Sequence, residues 1–495
     1  MALEPVIKGP TGALAMPLAS HAGPEIRNRM TDQPRQAKPR PTKPRLIKAR
    51  PVKPPADRDS AGLPARRIAA EAFAAVTEDG LALDETLDRL LAAPQGQSLP
   101  DRDRMLVRAI ATVAVRRFGT IRRALLDRLT TGLPEQGGPL PQILATAAAQ
   151  LLFMDVPDHA AVDIAVRLLQ QDRLGSRYTK LANGLLRRIG RERDEILAGQ
   201  DPLALDTPAW LRRRWIAAHG EETAARIAAA HMREASVDIT VRSDPEGWTQ
   251  RLDALLLPTG SLRLRERTAL PALAGYDDGE WWVQDAAAAL PALILAAAPG
   301  ERVADLCAAP GGKTAQLAAA GARVMAVDRS EPRMRRLVTN LARLKLTVDT
   351  TVADATALPP ADYDAVLLDA PCSATGTLRR HPDVAWTKSE EDVARLAALQ
   401  ARLLARAVDL VRPGGRIVYC TCSLEPEEGE AQVEALLARD DRVRREPILP
   451  AEVPGLPEAV TARGDLRTLP FMLPNEDPRL AGIDGFFAAR LVRIR

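Results

Sequence analysis

From residue 63 to residue 191 apolar side chains recur at helical spacing. Ile68, Ala72, Ala75 and Val76 mark one run, and Leu83, Leu87, Leu90 and Leu91 the next. Segments 104–120, 141–153, 159–170 and 176–188 carry the same period. Turn-forming residues separate them: Pro94-Gln95-Gly96, the glycine-rich 132–138 and Val156-Pro157-Asp158. The pattern predicts an all-helical domain over 61–200. Two shorter helices are expected over 208–233, with Trp210 and Trp215 as packing anchors, and a mixed strand-containing stretch runs on to Trp282. This gives a small α+β linker domain over 201–282. After Pro299-Gly300 the period changes to short β runs at 302–306, 323–327, 365–368 and 415–420, alternating with helices. That alternation predicts an α/β Rossmann-like domain over 283–495. Its parallel sheet would carry helices on both faces and bind ligands at the carboxyl ends of its strands.

Composition changes this picture at one end only. Of 495 residues, 46% are apolar and 27% charged, as in ordinary globular proteins. Residues 1–60 differ: twelve Lys and Arg face five Asp and Glu, so this segment is +7 and the remainder −3 of the total +4. Eleven of the forty prolines also lie there, which excludes a helix and predicts a disordered basic arm. Neutralising RNA phosphates and serving as a solubilising tail both fit such an arm. No run of eighteen apolar residues predicts a membrane span, and the Ala- and Leu-rich 286–298 is short, holds Pro291, and reads as a buried helix. The first thirty residues show no basic-then-apolar signal pattern, so a cytoplasmic protein is expected. In the helical domain Arg116, Arg117, Arg122, Arg123, Arg187 and Arg188 read first as solvated helix faces and second as RNA contacts.

The candidate chemistry lies in the last domain. Its first strand runs into Asp305-Leu306-Cys307-Ala308-Ala309-Pro310-Gly311-Gly312-Lys313-Thr314. The Gly-Gly pair lets backbone approach a ligand, and the helix start beyond it offers free N–H groups. It is not a P-loop, because the first Gly of that spacing is missing. The second strand ends in Asp328, about twenty residues on, where Rossmann-like sheets hold a ribose diol; capping the following helix is the alternative role. Asp354, after a short third strand, suits an adenine amino group. These residues fit a nucleoside cofactor and leave NAD and S-adenosylmethionine both open.

All four cysteines, Cys307, Cys372, Cys420 and Cys422, fall in this half, with no metal-type pairing, so thiols and no metal site are expected. Cys307 and Cys420 read as small buried hydrophobes. Cys372, in Asp369-Ala370-Pro371-Cys372-Ser373, and Cys422, in Thr421-Cys422-Ser423, follow the fourth and fifth strands, where a thiol is reachable. A thiol suits methylation of cytosine carbon 5, a poor nucleophile. Adding a thiolate to carbon 6 makes the ring an enamine, which takes a methyl group and then expels the thiol. Asp369 would hold the base's amino group and protonated ring nitrogen.

These motifs resemble the RNA 5-methylcytosine methyltransferases of the NOL/NOP/Sun group, in its bacterial ribosomal RNA branch. The resemblance covers residue 284 to the end. It rests on 307–314, Val327-Asp328, Asp354, 369–373 with Gly376 and Arg379-Arg380-His381-Pro382-Asp383, 419–423 with Pro426-Glu427-Glu428, and Asp484-Gly485-Phe486-Phe487-Ala488-Ala489-Arg490. The helical domain is similar to NusB-type RNA-binding domains. The resemblance implies a class I methyltransferase fold and S-adenosylmethionine held by Cys307, Ala308, Ala309, Pro310, Gly311, Gly312, Lys313, Asp328, Asp354 and Asp369. It implies Cys422 as nucleophile and Cys372 as the group assisting product release; DNA cytosine enzymes use a Pro-Cys motif the other way round. Arg379, Arg380 and His381 become RNA contacts. The implied partner is unassembled or partly assembled small-subunit rRNA, acted on by a monomer. The same chemistry on tRNA or large-subunit rRNA is the alternative. A non-catalytic RNA-binding assembly or antitermination factor is the other, disfavoured by the intact Cys372, Cys422, Asp369 and Gly-Gly-Lys set. Two departures stand out: Thr240-Val241-Arg242-Ser243-Asp244 where an Arg-Val-Asn strand is usual, and Glu428-Gly429-Glu430 where an Asn commonly follows the two acids.

Overall fold

The computed structural model describes residues 62–495 apart from Arg267; the basic arm expected over 1–60 lies outside them. Helices Leu63–Thr77, Leu83–Ala92, Asp101–Arg116, Phe118–Leu126, Leu140–Phe153, Asp158–Gln170 and Thr179–Arg191 pack around one apolar core. Leu140–Phe153 is its centre: twelve of its fourteen residues are buried, so it is enclosed on every side, with Gln142, Thr146 and Gln150 the polar residues among them. The single helix expected over 104–120 is two. The chain bends at Arg117, and Gly119 then meets another backbone so closely that a Cβ would lie 1.6 Å from the Leu205 carbonyl oxygen. Pro94-Gln95-Gly96, expected as a turn, opens a one-turn helix, Pro94–Gln97, because proline at the first helical position has its φ already set.

Helices Ala209–His219 and Glu221–His231 follow as expected, with Trp215 fully buried and Trp210 half-buried. The mixed stretch is a four-stranded antiparallel sheet of β1 (Asp238–Val241), β2 (Ala254–Leu256), β3 (Leu262–Leu264) and β4 (Trp281–Val283), in the order β2-β3-β1-β4. A buried two-pronged ion pair, Arg263 to Asp238 at 2.7 Å on both prongs, ties β3 to β1. Helix Ala286–Leu295 is buried as expected and contains Pro291.

The large sheet has β5 (Arg302–Leu306), β6 (Arg323–Asp328), β7 (Asp349–Val352), β8 (Tyr363–Asp369), β9 (Val411–Thr421), β10 (Val443–Arg445), β11 (Leu466–Thr468) and β12 (Phe486–Arg493). Its order is β10-β12-β9-β8-β5-β6-β7, with β11 also paired to β12. The strands β9-β8-β5-β6-β7 are parallel, as the alternation predicts, but β10, β11 and β12 are antiparallel additions. The Phe486-Phe487 motif is one of these strands, pairing Phe487 with Thr421 and Ala488 with Cys420. After β5 the chain goes one way to β6 and β7 and then returns to place β8 and β9 on the other side. The crevice at such a reversal, outside the strands' carboxyl ends, is where open α/β sheets bind ligands. Among the described residues no helix is long and apolar enough to cross a membrane.

Candidate active site

The loop leaving β5 turns through Cys307 at φ 63° and Gly311 at φ 102° into helix Gly312–Ala319. At Gly311 a side chain is excluded twice, by the left-handed backbone and by Leu337, whose Cγ would lie 2.9 Å from a Cβ. Lys313 turns inward, and its Nζ lies 2.8 Å from Asp369 Oδ2 at the end of β8, with the Phe486 ring 5.0 Å away. Burial alone would lower the Lys313 pKa; the neighbouring Asp369 carboxylate outweighs it and holds the ammonium charged. Beneath, Thr314 Oγ1 donates to Asp305 Oδ2 at 2.6 Å, and burial still pushes the Asp305 carboxyl up to about 7.

Asp328 closes the loop from the side. Its carboxylate accepts from the Ala309 amide at 3.2 Å and from the Ser330 amide at 2.8 Å, with Arg333 3.5 Å away. Ser330, rather than Asp328, caps the next helix. Asp354 accepts from the Thr356 amide at 2.9 Å and its hydroxyl at 2.8 Å, which lowers its pKa. Cys307, Asp328, Asp354 and Pro371 line one cavity of about 280 Å³, with Arg402 on its wall. Cys307 is therefore partly buried, packed on the core yet lining a cavity, and burial pushes its thiol up to about 12. A larger cavity, about 420 Å³, lies in the helical region away from these groups.

On the other side of the crevice β8 and β9 pair Asp369 with Cys420, so the loops that follow emerge together. Cys372 and Cys422 face each other with sulfurs 3.5 Å apart. The hydrogen bond with Cys422, together with burial, pushes the Cys372 thiol well up. Cys420 is buried, as expected. The Cys372 loop is held by Glu428, a fully buried carboxylate given no separate role above. It accepts from the Ser373 amide at 2.9 and 3.1 Å, from the Ser373 hydroxyl, and from Gln400 Nε2 at 3.1 Å. Gln400 Nε2 also donates to the Pro371 carbonyl at 2.9 Å. In the sequence Glu428 is the second acid of the Pro426-Glu427-Glu428 motif, six residues after the Cys422 thiol, and nothing local shows that it reaches the Cys372 loop. Beyond Cys422, Glu425 is gripped by Arg214 at 2.5 Å and the Trp215 indole at 3.2 Å. Gly376 donates its amide to the Cys422 carbonyl at 3.0 Å, and a Cβ there would sit 2.0 Å from the Gly485 carbonyl oxygen.

The three residues expected to touch RNA divide. Arg379 is only 1% exposed and donates to the Ala481 carbonyl at 2.8 Å, so in this structure it is an interior residue. Arg380 is partly exposed and bound to Asp484. His381 Nδ1 lies 3.0 Å from Asp84 of the helical region. Arg116, read first as a solvated face, is buried. Both departures have one cause: these side chains find carbonyl oxygens across a contact between regions far apart in sequence.

Comparison with known proteins bears on this arrangement. Residues 292–492 match the family model described as 16S rRNA methyltransferase RsmB/F, and residues 63–191 match the NusB family. The ribosomal RNA small subunit methyltransferase B of Cronobacter sakazakii is 32% identical over 454 residues, covering 86% of this chain and 98% of that protein. The chain belongs to the RsmB/F methyltransferase family. The RsmB/F relative from Xanthomonas campestris pv. campestris, of the same name, is 36% identical over 425 residues, 79% of this chain and 92% of its own length. The RsmB/F fold is also that of the crystal structure of PH0851, with a TM-score of 0.66 at 22% identity over 87% of this chain and 99% of that one. NSun6 from Pyrococcus horikoshii, solved with SFG, aligns with a TM-score of 0.50 at 19% identity over 58% of this chain and 98% of its own. The NusB-like helical region and the RsmB/F sheet domain therefore stand in one chain in the order the sequence patterns predict.

Proposed function

We propose that this chain methylates carbon 5 of a cytosine in small-subunit (16S) rRNA, taking the methyl group from S-adenosylmethionine and using Cys422 as nucleophile. The observation that carries the reading is the pair of thiols facing each other at 3.5 Å beside the Lys313–Asp369 pair. The residues fit the cofactor chemically: Asp328 and Asp354 would offer carboxylates to ribose hydroxyls and an adenine amino group, and the 307–313 loop with Lys313 would hold the remainder. When bound, S-adenosylmethionine supplies an electrophilic methyl group.

The chain's own residues do the rest. The Cys422 thiolate adds to carbon 6 of the base, and the electron pair displaced from the ring makes carbon 5 nucleophilic. Asp369, held by Lys313, binds the amino group and protonated ring nitrogen, stabilising the adduct electrostatically. Once carbon 5 carries the methyl group, its proton passes to a water molecule, the electron pair left behind re-forms the ring double bond and expels the Cys422 thiolate from carbon 6, and aromaticity returns. The Cys372 thiol sits 3.5 Å from the Cys422 sulfur, within reach of it as the carbon–sulfur bond breaks, which suits assistance in release. In this reading a cytoplasmic monomer with domains over 61–200, 201–282 and 283–495 acts on rRNA not yet fully assembled, with Arg380 and His381 near the RNA path.

The test uses tritiated S-adenosylmethionine and unmodified small-subunit rRNA with wild type, Cys422→Ala and Cys372→Ala. Label in 5-methylcytosine with wild type, none with Cys422→Ala and a trapped protein–RNA adduct with Cys372→Ala are expected. Activity in Cys422→Ala would refute the nucleophile; label only on tRNA or large-subunit rRNA would refute the substrate.

A further inference from the structure

The segment that follows Cys372 is held from outside its own domain. Arg116, at the end of helix Asp101–Arg116, is 5% exposed and spreads its guanidinium over carbonyl oxygens of two chain segments, 231–233 and 378–379. Nη1 donates to His231 at 2.8 Å, Leu378 at 3.1 Å and Arg233 at 3.4 Å, and Nη2 to Arg379 at 2.9 Å. Three further contacts fall on the same segment. The Leu83 amide donates to Asp383 at 3.1 Å, His381 meets Asp84 at 3.0 Å, and the Trp386 indole donates to the Val115 carbonyl at 3.0 Å. The Trp386 ring also packs edge-on against Phe118 at 5.0 Å. Two residues before Leu378, Gly376 is bonded to the Cys422 carbonyl and wedged against Gly485. Arg116 thus acts at one end of a short segment whose other end follows Cys372 and is bonded to the Cys422 backbone carbonyl. Burying a guanidinium is unfavourable unless its donors are used, and a planar five-donor fork is suited to fixing several carbonyls at once.

We infer that Arg116 of the NusB-like region is a positioning residue for the reaction, holding the 374–380 segment so that Cys372 stays in register with Cys422. The helical region on this account serves the chemical step as well as any RNA it holds. The inference rests on the functional reading above. It predicts where a fault should be felt: in turnover and in release of the methylated base, since Cys372 is displaced, more than in affinity for RNA.

The experiment uses the full chain with rRNA and S-adenosylmethionine. Arg116→Ala is expected to lower kcat roughly 10- to 100-fold, the effect of misplacing a reacting group by about 1 Å. The RNA KM should change less than about threefold, and covalent protein–RNA adduct should accumulate part of the way towards the Cys372→Ala level. Arg116→Lys keeps the charge without the fork and is expected to recover part of the rate. Trp386→Phe keeps the ring, loses the Val115 hydrogen bond, and should give a smaller fall in kcat of the same kind; it decides the matter if Arg116→Ala does not fold. A raised RNA KM at unchanged kcat, or unchanged kcat in both Arg116→Lys and Trp386→Phe, overturns the inference. Failure of the underlying reading looks different: wild type makes no 5-methylcytosine, or Cys372→Ala traps no adduct.

Discussion

In the helical region the central helix Leu140–Phe153 is enclosed by alanine, leucine and isoleucine, and most charges lie on outer faces, as in the Arg123 to Asp127 pair one turn apart. The sheets keep many charges inside: Asp238 with Arg263, Asp305, Glu428, Asp484 and Arg379 are all nearly or fully buried. A buried charge persists only where partners replace its water. Each of these groups accordingly holds something: Glu428 the Cys372 loop, Asp305 the hydroxyl of Thr314 beside Lys313, Arg263 two strands and the Leu480 carbonyl. The helical region departs from its own rule at Arg66, whose Nε donates to the buried Gln150 at 2.7 Å, and at the contact with the sheet domain, where Arg116 is buried. Buried polarity in this molecule marks positions that hold a loop or join regions, and the apolar bundle supplies a rigid support for them.

The contrast can be broken or sharpened by mutation. The largest effect is expected inside: Arg263→Ala strands the Asp238 carboxylate and should cost about 3–5 kcal/mol in urea unfolding. A loss below 1 kcal/mol would mean that the pair is not sealed from water. Glu428→Gln keeps the shape but turns an amide towards groups that are themselves donors. Leaving them unpaired should cost about 1–3 kcal/mol, together with a fall in methyl transfer. Stability lost with turnover intact would separate Glu428 from the thiol loop.

A third test uses pH. His231 is buried against Trp215, with no hydrogen-bond partner for either ring nitrogen among the described residues, and burial, aided by Arg379 and Arg116, pushes its pKa down to about 3. The unfolded chain therefore binds a proton between pH 6.5 and about 3 that the folded one does not. Stability is complete above the ordinary histidine range and falls with decreasing pH by about 1.4 kcal/mol per unit in that window. Replacing His231 with Phe should flatten this dependence; an equally steep curve would assign the acid sensitivity elsewhere. The smallest effect belongs to the outer face, where Arg123→Ala should change stability by no more than about 0.5 kcal/mol. A change above 1 kcal/mol would show that this face is not merely solvated.

Much of this was legible along the chain because it is local. Helical periods placed the bundle, and β runs ending in Gly-Gly-Lys, Asp, Pro-Cys and Thr-Cys placed the loops of the crevice, since each strand exit is set by its own few residues. Other features were not. The antiparallel strand Phe486–Arg493 reads as a motif and not as an edge for β9, because strand pairing is a property of two segments. Arg379 and Arg116 look like surface cations, as any arginine does until the carbonyls that take its donors are in view.

By itself the sequence determined the element types, their order and the residues offered at each strand exit, because hydrophobic period and turn chemistry act over a few positions. Only the tertiary structure decided that Cys372 and Cys422 meet at 3.5 Å, that Glu428 is the anchor of their loop, and that a helix more than 250 residues away, through Arg116, braces it. Those outcomes depend on which distant groups bury one another's polar atoms, and that matching exists only once the chain has closed.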